Sequence, residues 1–165
     1  MSGPDLRSSR IEFTAAPAAV SCARRWITGQ LARTHPADLV DSAVLLVSEL
    51  VTNAVRASAA AALASGCLTP RRIELAVART RDTLRIEVAD SARGSLPVPS
   101  GPAADDDESG RGLQVVTALS RRWGCRPAPR GKAVWCELTA EVQIPAEVQI
   151  PAEARPPAAA DRLAG

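Results

Sequence analysis

The chain has 165 residues, 46% hydrophobic but only 2% aromatic, with 20 basic against 18 acidic side chains and a net charge of +2. That is the length of one domain, with enough Ala, Val, Leu and Ile to bury a core. So balanced a charge argues against a polyanion partner, and so few aromatic rings argue against a stacking platform for single-stranded nucleic acid. Residues 1–9 are polar and read as a disordered lead with no signal peptide. Arg10 to Thr14 alternates in polarity, as an edge strand does. Pro17 suits a first helical turn, and Val20, Ala23, Ile27 and Leu31 recur at helical spacing to about Arg33. Thr34-His35-Pro36 breaks that helix. His35 reads as a loop residue.

A second helix follows, with Asp38 as the expected N-cap, and runs to about Ala62 before Ser65-Gly66. It carries a stripe of Val40, Val44, Val47, Val51 and Val55 and is apolar nearly all round, so it should be buried on most sides. Arg72–Ala78 and Thr83–Ala89 alternate and read as two antiparallel strands turning at Arg81-Asp82. Residues 91–109, rich in Pro, Gly, Ser and Asp, form a long loop with an acidic run, Asp105-Asp106-Asp107-Glu108. A third helix is expected over 110–120. Trp123–Arg126 and Ala133–Thr139 make a closing hairpin. Residues 10–140 thus form the domain. Beyond Ala140 the segment Ala-Glu-Val-Gln-Ile-Pro occurs twice, ahead of a Pro/Ala-rich stretch, and 141–165 reads as a disordered tail. The four cysteines, Cys22, Cys67, Cys125 and Cys136, have no zinc or redox spacing. They read as free thiols of a reducing cytoplasm, and no apolar run is long enough for a membrane span.

Two polar residues stand out in the apolar second helix. Glu49 and Asn53 are four apart and point from one face. Burying a carboxylate and an amide is costly without partners. Either each bonds a neighbour as a polar cap, or the pair serves a hydrated metal carrying phosphates. An amide oxygen suits Mg²⁺, and a carboxylate can orient water or take a proton. Asp90 ends an alternating strand, ahead of Ser91-Ala92-Arg93-Gly94. By itself it would read as a turn starter. Gly110-Arg111-Gly112-Leu113 opens an apolar helix, where backbone N–H groups favour anions. Arg111 either adds charge to a phosphate or is solvated. Lys132 reads as a hairpin surface charge.

Taken in order, Glu-x-x-x-Asn, then Asp with a downstream Gly, then Gly-x-Gly resembles the GHKL ATPase superfamily. With Gly131-Lys132-Ala133-Val134-Trp135-Cys136-Glu137-Leu138 near its end, the short form looks most like the small anti-sigma-factor serine/threonine kinases and their stand-alone actinobacterial relatives. The resemblance spans roughly residues 10–140. It implies an α/β two-layer fold of the Bergerat type, with a mostly antiparallel sheet covered on one face by three helices and ATP between the layers. The same likeness implies Glu49 as catalytic base, Asn53 as the Mg²⁺ ligand and Asp90 as acceptor from the adenine amino group. It places Gly94 beside the base, and Gly110, Arg111, Gly112 and Leu113 in a lid over the phosphates. ATP and Mg²⁺ are the implied cofactors. A sigma factor, an antagonist protein whose Ser or Thr takes the phosphate, and a second copy of the chain are the implied partners; neither nucleic acid nor a membrane is expected. No dimerising helical hairpin, sensor or transducer region is read, so a complete histidine kinase and a gyrase or MutL machine are not expected.

Two departures lie on the base side. The pattern's first glycine after Asp90 is Ala92, and a threonine that relatives carry near Ala133 is missing. They favour an alternative reading, a non-catalytic nucleotide-gated protein-binding module.

Overall fold

A computed structural model describes residues 7–67, 69–92 and 108–140, with side chains left out at 7 and 108–111. Most of the expected lead, the centre of the long loop with Gly94, and the whole tail lie outside the described residues. The elements run β1 (Arg7–Thr14), α1 (Ala18–Leu31), α2 (Ala37–Ser65), β2 (Arg72–Arg79), β3 (Thr83–Asp90), α3 (Glu108–Leu119), β4 (Arg122–Ala128) and β5 (Gly131–Thr139). One antiparallel sheet has the order β1-β2-β3-β5-β4, with three helices against it. This is the two-layer α/β arrangement expected, and β1 is an edge strand as read, though it begins at Arg7.

Alternation sorts the sheet into two faces. Ile73, Leu75, Val77, Leu84, Ile86, Val88, Cys136 and Leu138 point to the helices and are buried with Ile27, Leu31, Leu46, Val47, Leu50 and Val51. The opposite face carries charge ladders. Arg72 pairs Glu12 at 3.0 Å. Arg85 bridges Glu137 at 2.9 Å and Glu87 at 3.2 Å, with Arg122 on Glu137 and Arg126 on Glu87. The Arg85 guanidinium also lies 4.1 Å from the Trp135 ring centre, a cation–π contact. Apolar stems and rings under these charges keep Glu137 only 7% exposed.

α2 is the spine. Its Val40, Ala43, Leu46, Val47, Leu50, Val51 and Ala54 are buried, and the stripe's remaining members, Val44 and Val55, pack partly buried against them. Its entry corrects the sequence reading. Pro36 takes the cap position with extended backbone, and no side chain caps the helix; Asp38 lies in the first turn. There it still complements the positive helix end. The helix ends at Ser65, three residues beyond the expected Ala62, on Gly66 at φ 60°, the left-handed C-cap that glycine adopts freely. Arg71 ties this end to the sheet, donating to Ala61 O at 3.1 Å, Ser65 Oγ at 3.1 Å and Ser91 O at 3.0 Å. Among the described residues no helix is long and apolar enough to cross a membrane.

Candidate functional site

Glu49 and Asn53 sit mid-helix on α2, each half-buried, on the side that meets α3. What brings α3 there is Gly112. A Cβ on Gly112 would lie 2.6 Å from Glu49 Oε2 and 3.6 Å from Asn53 Nδ2. The bare Cα therefore lets the backbone of α3 come down onto both side chains. The structure thus joins two motifs about sixty residues apart. Ser48, one position before Glu49, bonds back to Val44 O at 2.7 Å and takes no part.

The helix expected over 110–120 is present but starts two residues earlier than the Gly-x-Gly segment. α3 begins at Glu108, so Gly110 and Arg111 lie in its first turn and Gly112 just beyond. The first four N–H groups of a helix lack intrahelical partners. Gly110 and Arg111 can offer theirs to an anion; Gly112 contributes close approach instead. Leu113 is half-buried. Gly94, and the side chain of Arg111, lie outside the described residues.

Asp90 ends β3 and is 5% exposed. Its Oδ1 accepts the N–H of Ala92 at 2.9 Å. Lys132 reaches the same carboxylate, with Nζ 3.2 Å from Oδ2 and 3.4 Å from Oδ1. Lys132 is thus not a hairpin surface charge. The register sets it directly opposite Asp90, on the helix side of the sheet, while Ala133 faces Ala89 on the other side. The site-facing position is Lys132, so Ala133 is no departure from the base side. Gly131 holds this corner tight: a Cβ there would come 2.3 Å from Asp90 O and 2.9 Å from the Ser91 carbonyl carbon.

A cleft of about 700 Å³ opens beside the outer face, lined by Arg10, Glu12, Arg72, Glu74, Ser91 and Arg130 among others. Asp90 touches it, but Glu49 and Asn53 do not. It is therefore separate from the α2–α3 junction.

Chemically, one carboxylate and one amide oxygen make a hard donor set that suits Mg²⁺ held with phosphate and water. Among the described residues no cluster of three or more His, Cys, Asp or Glu side chains could hold a metal alone, and a Mg²⁺ carried in by phosphates needs none. The thiols differ in character. Burial raises Cys136 to about 12, which keeps it protonated and inert. Cys67 is exposed, and the Thr69 hydroxyl beside it lowers its thiol below the usual range.

The two-layer fold, a helix carboxylate and amide met by α3, and a buried aspartate at a strand end fit a nucleotide-binding ATPase domain. A model of the histidine kinase-like ATPase domain matches residues 13–138, and the chain belongs to that family. An uncharacterized protein of Streptomyces coelicolor is 38% identical to it over 73 residues, 44% of this chain and 69% of that relative. Membership supports the expected superfamily and implies ATP binding.

Proposed function

We propose that the protein is an Mg-ATP-binding regulator of the anti-sigma-factor kinase type, which passes the γ-phosphate of ATP to a Ser or Thr of an antagonist protein and so controls a sigma factor. The observation that carries the reading is the contact of Gly112 with both Glu49 and Asn53. It sets the anion-favouring start of α3 over a carboxylate and an amide, the chemistry that a bound phosphate chain and its metal require. Asn53 would hold Mg²⁺, which supplies charge neutralisation at the phosphates. Glu49 would take the proton of the attacking hydroxyl, Asp90 would accept from the adenine amino group, and Gly110 and Arg111 would offer N–H groups to phosphate. Gly94 would pass close to the base. Phosphoryl transfer rests on positioning and charge stabilisation, and this site supplies both without a covalent intermediate. The cytoplasm and a homodimeric state belong to the same reading.

Calorimetric titration with ATP, with and without Mg²⁺, tests it on wild type, Asp90→Asn and Asn53→Ala. Saturable binding that prefers ATP to GTP, weakens at least tenfold in Asp90→Asn and loses its Mg²⁺ dependence in Asn53→Ala is expected, about the value of one charged hydrogen bond. Absence of binding in wild type would overturn it.

A second reading, a nucleotide-gated module without catalysis, draws on Lys132. A cation on the base-reading carboxylate and Ala92 in place of glycine both alter the base side while leaving Glu49 intact. The two readings part at Glu49→Ala: a kinase loses partner phosphorylation and partner control together, whereas a gated module keeps control.

A further inference from the structure

Resting on the nucleotide reading, we propose that Lys132 is a specificity residue that reads the base together with Asp90, donating to the adenine ring nitrogen N1 while Asp90 accepts from the exocyclic amino group. A carboxylate offers about four lone-pair positions, and an ammonium carries three N–H donors. Among the described residues Asp90 takes the Ala92 N–H on Oδ1 and Lys132 on both oxygens. That leaves one acceptor position on Oδ2 and one N–H on Lys132. The Asp90 side chain is 4% exposed and that of Lys132 13%, so the pair is shielded and its remaining valences are directional.

The register keeps both groups on the helix side. Asp90 and Lys132 are direct cross-strand partners of β3 and β5, and the next helix-facing pair, Val88 and Val134, forms an apolar floor beside them. Gly131 fixes their spacing, because its bare Cα lets the start of β5 press against the Asp90 backbone. A ligand edge with a donor and an acceptor side by side can join this pair without breaking it. The Watson–Crick edge of adenine is such an edge, with its amino group beside N1. Guanine presents the opposite order, an exocyclic acceptor beside a ring donor. Adenine's amino group meets the carboxylate and its N1 the ammonium. A charged donor is worth more than the neutral hydroxyl expected of this region.

The test compares ATP, GTP and 1-deaza-ATP, in which a C–H replaces N1, by calorimetry on wild type, Lys132→Met and Lys132→Arg. Circular dichroism confirms that each variant is folded. Wild type is expected to prefer ATP over 1-deaza-ATP about tenfold or more, the range for a hydrogen bond to a charged group. Lys132→Met should lose that discrimination and bind ATP correspondingly less tightly; Lys132→Arg, which keeps a charged donor, should recover part of it. ATP binding that is equal or tighter in Lys132→Met would overturn the proposal, because Lys132 would then be competing for Asp90. A discrimination that survives the Met substitution would also overturn it, as would tighter binding of GTP than of ATP. Absence of nucleotide binding in wild type would remove the nucleotide reading and this proposal with it, a pattern unlike a loss confined to the variants.

Discussion

Gly112 and Gly131 are both packed too tightly for a Cβ, yet they should respond differently to alanine. At Gly112 the obstructing atom is Glu49 Oε2, the end of a side chain that can swing away. Gly112→Ala should therefore cost roughly 1 kcal/mol or less in a urea melt. It should still weaken Mg-ATP binding or phosphate transfer about tenfold or more, because Glu49 is displaced from the place it must hold. At Gly131 the obstructing atoms are backbone of Asp90, Ser91 and Ala92. There Gly131→Ala should cost about 1–3 kcal/mol, as overpacking against atoms that cannot rotate away does. Equal melts for the two variants would show that the Asp90 corner yields more easily than its contacts indicate. Glu137 makes a third prediction at this scale. The Arg122 guanidinium first, then Arg85, hold its carboxyl below the ordinary value of 4.5. A depressed folded value means that the stabilisation is fully present above the unfolded value and fades as pH falls through the folded one. Wild type should thus exceed Glu137→Gln in stability at pH 7, and the gap should narrow below about pH 4.5, read by urea melts at several pH values. A gap that is constant with pH would mean that the two arginines do not hold the charged form.

At the level of elements, α2 carries the largest share of order. Leu46 is 0% exposed, so Leu46→Ala should destabilise by about 2–5 kcal/mol in a urea melt and loosen Glu49, three residues on, with it. α2 was also the most legible part of the sequence, because its 3.6-residue stripe and its Ser65-Gly66 stop are local signals. So were the period-two strands, which alternate locally. The helix entry was not legible, since Asp38 is a good cap by residue type while Pro36 fixes the backbone that enters the helix. Nor was the role of Lys132. Whether Lys132 or Ala133 faces the site is decided by a register between strands more than forty residues apart, and a slip of one residue exchanges the faces. Glu49 and Asn53 were legible as an odd pair on an apolar face. That Gly112 would be the surface against them was hidden, because the contact depends on how α3 returns to α2 after a long loop.

The whole molecule can be followed through its thiols, because they sample its layers. Cys136 lies between sheet and helices at 0% exposure, on the strand that also carries Lys132, while Cys67 is exposed beyond the end of α2. Iodoacetamide should modify Cys67 first, favoured by its lowered thiol, and Cys136 only when the layers part. β5 is flanked by β3 and β4 and covered by the helices, so the Cys136 rate reports parting of the layers. A ligand that binds only the closed layers slows such opening by the factor 1 + [L]/Kd, about a hundredfold at a concentration of 100 Kd. Mg-ATP at that excess should accordingly slow Cys136 labelling about a hundredfold and leave Cys67 nearly unchanged, and Asp90→Asn should show a much smaller effect at the same concentration. Equal protection of both thiols would mean that nucleotide acts on the outer face, by the cleft near Cys67. No protection of Cys136, with binding shown calorimetrically, would mean that nucleotide binds without bridging helices and sheet. The two-layer site would then be the wrong location for it. Mass spectrometry of the labelled peptides separates these outcomes in a single time course, because both thiols are read in the same molecule under the same conditions.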